Sequence, residues 1–272
     1  MTSPGRNKKG VFLISLPTHK KIFINQKKDL KMKNVNGKVI LVTGGGQGLG
    51  AAICRTMAED GAKVIAADIN EKKLESIVNE ITDSGGNIKS YSMNVADEKN
   101  VQQVINEIIK EFGNIDAVIN NAGIDFTKSI EDLTFEEWNK EISVNLTGPF
   151  NVSKSVYPFM KKNGKGHIVN ITSTAAKRAW PNAAAYHASK WGLLGFSHAL
   201  HSEARKDNIK VTALVAGGMQ TPFILERFPE VDPDVLQDPK NVAETIKYVL
   251  CQPDATVIPE VMVIPMRETS WP

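Results

Sequence analysis

Five short, largely apolar runs recur along this chain, and they limit its fold more than any other feature. They are Val39-Ile40-Leu41-Val42, Val64-Ile65-Ala66-Ala67, Ala117-Val118-Ile119, Ile168-Val169-Asn170-Ile171 and Val211-Thr212-Ala213-Leu214-Val215. A strand without polar alternation has both faces covered, as the strands of a parallel sheet do. Between the runs, Leu74, Ile77, Val78 and Ile81 fall at i, i+3, i+4 and i+7, and Val101, Val104, Ile105 and Ile108 repeat that spacing. Each set makes one apolar helical stripe. Parallel neighbours need a crossover, so strand and helix in alternation predict a doubly wound parallel α/β sheet, a Rossmann fold, with helices on both faces. The chain has 272 residues and no internal repeat or Pro/Gly-rich linker, which predicts a single domain over residues 34–272.

Other classes are excluded by what the sequence lacks. No run of about 18 uninterrupted apolar residues is present, so no membrane-spanning helix is expected. Cys54 and Cys251 stand far apart, and His198 and His201 have no third ligand near them. The cysteines read as small core residues in a reducing compartment, and no metal site is expected. The formal charge of +3 hides an asymmetry: residues 1–33 hold nine Lys and Arg against Asp29, a charge of +8, which leaves −5 for residues 34–272. The leader's apolar run, Val11 to Leu16, is shorter than the roughly 7–15 residues of a secretory core. It reads as a disordered basic extension of a cytoplasmic protein, with organelle targeting by the leader left open. The acidic remainder gives no ground for a nucleic-acid or membrane partner.

Directly after the first run comes Thr43-Gly44-Gly45-Gly46-Gln47-Gly48-Leu49-Gly50, leading into Ala51-Ala52-Ile53. Glycines permit the tight turn and let main-chain N–H groups approach a pyrophosphate, while the helix start adds partial positive charge. Asp68 closes the second run 18 residues after Gly50, where a carboxylate can accept hydrogen bonds from a ribose. Strand, glycine turn, helix and acid together predict dinucleotide binding.

The spacing Gly-x-x-x-Gly-x-Gly, with Asn120-Asn121-Ala122-Gly123, Asn145, Ser173 and Tyr186-x-x-x-Lys190, resembles the short-chain dehydrogenase/reductase family, classical type, from about Gly37 to Leu250. The resemblance implies a nicotinamide cofactor held by Gly44, Gly48, Leu49, Gly50, Asp68, Asn94, Val95, Asn120, Ala122, Tyr186, Lys190 and Thr221. Asn94 stands where the family usually has an Asp against adenine. Asp68 would repel a 2′-phosphate, and the nearest bases, Lys72 and Lys73, are expected to face outward on the next helix, so NAD is preferred over NADP.

Tyr186 and Lys190 are four apart on a predicted helix over 183–204, so they share a face. A tyrosine with its ordinary pKa of about 10 is a poor base, and a neighbouring ammonium, together with the positive nicotinamide of an oxidised cofactor, is expected to lower it. By resemblance Ser173 binds the substrate oxygen, Tyr186 exchanges its proton, Lys190 holds the nicotinamide ribose and Asn145 holds a relay water. The expected activity is interconversion of a secondary alcohol and a ketone, by a homodimer or homotetramer. Two alternatives stand beside it: a 3-oxoacyl-thioester (acyl-carrier-protein) reductase, and a non-catalytic NAD-binding sensor.

Overall fold

The computed structural model describes residues 34–267; the basic leader lies outside them. Seven strands, all parallel, form one sheet: β1 (Val39–Thr43), β2 (Lys63–Asp68), β3 (Asn87–Ser92), β4 (Ala117–Asn120), β5 (Gly166–Ser173), β6 (Ile209–Ala216) and β7 (Glu260–Val263), in the order β3-β2-β1-β4-β5-β6-β7. The helices are α1 (Gly48–Glu59), α2 (Glu71–Asp83), α3 (Glu98–Phe112), α4 (Phe135–Ile142), α5 (Gly148–Lys162), α6 (Ala184–Ala204), α7 (Pro222–Leu225) and α8 (Pro239–Leu250).

The continuous apolar strands follow from this sandwich. Ile40 and Val42 of β1 join a core with Ile53 of α1, Leu74 and Ile77 of α2 and Ile246 of α8. Val39 and Leu41 join the opposite core, with Ile105 and Ile108 of α3 and Val152 and Val156 of α5. Alternate residues of one strand therefore serve two layers, and both faces favour apolar side chains. Both helical stripes are buried as expected, Val78 alone being half-buried.

Two strands lie outside the five runs. β3 and β7 are the sheet edges, and their side chains are exposed or half-buried, so no apolar run marks them. Among the described residues no helix is long and apolar enough to cross a membrane, and no cluster of residues could hold a metal ion.

Strand order reverses between β1 and β4, where the chain crosses to the other half of the sheet. Side chains beyond the carboxyl ends of such strands line a crevice. Here it is a cavity of about 930 Å³, reached by residues that follow β1, β2, β3, β4, β5 and β6.

Candidate active site

At one end of the cavity the glycine turn and α1 form an anion cradle. α1 starts at Gly48 with no side chain capping its first turn, so those N–H groups face the cavity unmatched. Gly44 has φ +64°, and a Cβ there would lie 2.8 Å from the Ala122 Cα. Thr43 explains this closeness: its Oγ accepts from the N–H groups of Asn121 (3.0 Å) and Ala122 (3.1 Å). In return the Asn121 amide donates to the carbonyls of Thr43 (3.0 Å) and Gly44 (3.1 Å). The Thr-Gly and Asn-Ala-Gly motifs are thus two halves of one clip across β1 and β4.

Asp68 lines the cavity beside the glycine turn, its carboxylate accepting from the N–H groups of Gly46 (3.1 Å) and Asn70 (3.0 Å). Asn94, Val95, Leu49, Gly48, Ala122 and Thr221 line the same wall. Three sequence expectations need correction. Asn120 does not reach the cavity: it is buried beneath the sheet end, where its amide donates to Ser153 Oγ (3.1 Å) and Asn170 Oδ1 (2.8 Å), and Asn121 is the one of the pair that lines the wall. Gly50 also lies off the wall; it lets α1 pack on the turn, since a Cβ would overlap the Gly44 carbonyl oxygen. Lys73 does not face away but lines the cavity rim, with its ammonium on Gln47 Oε1.

At the other end stand Ser173, Tyr186 and Lys190. Ser173 closes β5 and hydrogen-bonds the Tyr186 hydroxyl; its Oγ also accepts from Ala175 N–H (3.1 Å). Tyr186 and Lys190 rise from α6, with the Lys190 ammonium 5.5 Å from the tyrosine ring centre and donating to the Ile171 carbonyl (3.0 Å). Burial pushes the Lys190 pKa down to about 8, opposed by the carboxylates of Glu141 and Asp125. Burial raises the Tyr186 pKa, and the Ser173 hydrogen bond only partly offsets this. Tyr186 is therefore held as a phenol, the proton-donating form.

Asn145 lies in a π-helical turn, Ser143–Thr147, between α4 and α5. Its amide is fully committed, accepting from Ile124 N–H (2.8 Å) and donating to the Ile124 carbonyl (2.8 Å) and Ser189 Oγ (3.1 Å). It ties the segment after β4 to α6 beside Lys190 and does not itself line the cavity.

Asp125, Glu141 and Arg227 escaped the sequence reading, and His187 and Trp180 take places it did not fix. His187 is buried, 8% exposed. Its Nδ1 donates to the Ala175 carbonyl (2.9 Å) and its Nε2 accepts from Trp180 N–H (3.1 Å), a partner set that fixes the tautomer. The Trp180 ring packs edge-on against it at 4.3 Å and lines the cavity. Arg227, which follows α7, bonds Asp125 across the cavity at 3.1 Å, and Glu141 is buried behind them with one oxygen unpartnered. Buried charges on an otherwise amphipathic helix carry no periodic signal, so only the spatial arrangement exposes them.

Known proteins share this architecture. A profile of the short chain dehydrogenase family matches residues 38–231. The 3-oxoacyl-[acyl-carrier-protein] reductase FabG of Thermotoga maritima is 35% identical over 196 residues, which span 72% of this chain and 79% of that protein. A metagenomic short-chain oxidoreductase solved with NADP superposes with a TM-score of 0.76 at 28% identity, covering 85% of this chain and 98% of the other. Levodione reductase does so with a TM-score of 0.80 at 26% identity, covering 85% and 97%. With the sheet order, the clipped glycine turn and the family match over most of its length, the chain belongs to the short chain dehydrogenase family of oxidoreductases.

Proposed function

We propose that this protein is an NAD-dependent oxidoreductase that interconverts a secondary alcohol and a ketone. The observation that carries the reading is the convergence of Ser173, Tyr186 and Lys190 on one wall of a cavity whose other end is an uncapped helix start with a carboxylate beside it. The cradle fits a dinucleotide. Gly44 lets the turn close onto Ala122, which sets the shape of the cradle, and unmatched N–H groups suit a pyrophosphate. Gly48, Leu49 and the turn would hold the phosphates, Asp68 the adenosine ribose, Asn94 and Val95 the adenine, and Lys190 and Thr221 the nicotinamide side.

Bound there, the nicotinamide supplies the hydride acceptor or donor. Ser173 donates to the substrate oxygen and holds it against Tyr186. Tyr186, resident as a phenol, gives its proton to a carbonyl in reduction and takes the hydroxyl proton in oxidation. The Lys190 ammonium beneath the ring favours the phenolate left behind. Asn145 contributes through position, its amide tying the segment after β4 to α6 beside Lys190. NAD is favoured because the Asp68 carboxylate occupies the place a 2′-phosphate needs. The similarity to FabG supports a second reading, 3-oxoacyl-thioester reduction, on the same residues.

Absorbance of NADH and NADPH, followed with a panel of ketones, secondary alcohols and 3-oxoacyl thioesters, tests both. We expect turnover with NADH, and a loss of about 10²–10⁴-fold in kcat for Tyr186→Phe with NADH binding retained. Cofactor binding without turnover of any panel member would instead make the chain a sensor.

A further inference from the structure

Beyond Tyr186 the cavity is walled by Trp180, Phe223, Ile224, Phe228, Val231 and Leu236. One charged pair interrupts this apolar lining. Arg227 Nη1 lies 3.1 Å from Asp125 Oδ2 and donates to the Asp125 carbonyl at 3.0 Å. Its other terminal nitrogen donates to the Phe223 carbonyl, and its guanidinium lies 3.7 Å from the centre of the Phe223 ring. That ring in turn packs 6.1 Å from the ring of Tyr186.

Asp125 is held as firmly. Its Oδ1 accepts from Thr127 N–H (2.9 Å) and its Oδ2 from Thr127 Oγ (2.9 Å), closing a turn in which Thr127 has φ +45°. The two side chains are 10% and 22% exposed, so each relies on the other for compensation. A second carboxyl, Glu141, is 1% exposed behind them. Asp125 and Glu141 therefore act against the ionised form of Tyr186, and Arg227 acts for it. The remaining bases on the wall are placed elsewhere: Lys140 and Arg267 are exposed at the rim, Lys73 is at the adenosine end, and Lys190 is drawn to the Ile171 carbonyl.

We infer that the substrate is an uncharged, apolar-flanked ketone or secondary alcohol, and that Asp125, by occupying Arg227, excludes molecules with a carboxylate near the reacting carbon. An incoming carboxylate has two options in this pocket, and both are costly. It displaces Asp125 from Arg227 and strands a buried carboxylate, or it sits unpaired beside two carboxyls in a low-dielectric site. The inference rests on the function proposed above and adds the class of substrate to it.

A 3-oxoalkanoic acid and its methyl ester, equal in chain length, test it directly. Each is titrated by calorimetry into the full chain loaded with NADH, and NADH consumption is then followed with the same pair. The wild-type protein should bind the ester at least about tenfold more tightly than the acid, a comparison that requires no variant. Asp125→Asn keeps an acceptor for Thr127 N–H but removes the charge that holds Arg227. It should bring the acid within about threefold of the ester, and adding Arg227→Gln should restore the discrimination. Equal binding of acid and ester by the wild type, or an unchanged ratio in a folded Asp125→Asn, overturns the inference. If the ratios shift as described while neither probe consumes NADH, the selectivity stands and the oxidoreductase reading falls.

Discussion

Glu141 shows most clearly what a single residue costs this site. Burial, with Asp125 nearby, pushes its pKa up to about 7. Between the ordinary carboxyl range and that value, the folded chain keeps a proton that the unfolded chain has lost. Stability therefore falls as pH rises through this window, and the penalty is complete above pH 7. Glu141→Gln should stabilise the protein by on the order of 3 kcal/mol at pH 8 and by almost nothing near pH 4, as read from urea unfolding at both. A gain independent of pH would mean that packing, not charge, is involved. Asp68 gives a second test. Because Lys73 already lines the rim beside it, Asp68→Ala alone should raise kcat/KM with NADPH relative to NADH by about tenfold or more, without an added arginine. An unchanged preference would remove Asp68 from its assigned place. The sequence marked Tyr186, Lys190, Ser173 and Asp68 because each lies at a fixed distance from a glycine turn or strand end. It could not mark Glu141, Asp125 and Arg227, which meet only when α4, the turn after β4 and the segment after α7 are folded together.

Among the elements, the loop between β5 and α6 has the most consequence for the cavity. Trp180 is held through its main chain by His187, so His187→Phe should keep the ring packing but lose the acceptor. The expected result is a rise of about fivefold in KM for the ketone with a smaller change in kcat, and recovery in His187→Gln, by steady-state kinetics. Unchanged KM would show that the loop holds itself. This contact was hidden in the sequence because helix periodicity assigns a face but not the loop that covers it. The strands divide in the same way. β1, β2, β4, β5 and β6 were legible because burial on both faces leaves unbroken apolar runs. β3 and β7 were not, because an edge strand needs only partial cover. Nor was the π turn holding Asn145 foreseeable: one residue wider than an α turn, it depends on the Asn145 amide finding Ile124 and Ser189 rather than on a local propensity.

At the scale of the whole molecule, Phe150 on α5, which follows the π turn, and Trp191 on α6, which carries Tyr186, are 43% and 51% exposed. A homodimer or homotetramer through these helices would cover them. Sedimentation equilibrium should give two or four chains, and Phe150→Lys with Trp191→Glu should shift the population toward monomers. A monomeric wild type would end that reading. The sheet itself has one weak seam. β1 and β4 share three residue pairs in register, fewer than any other neighbours, and the clip of Thr43 to Asn121 and Ala122 sits at the cavity end of that seam. A dinucleotide lying over the clip would touch both halves of the molecule at the seam with the fewest paired strand residues. It would then act as a keystone. Its arrival would stiffen the centre of the sheet, and its release would coincide with a loosening that amide exchange at Asn121 and Ala122 would record.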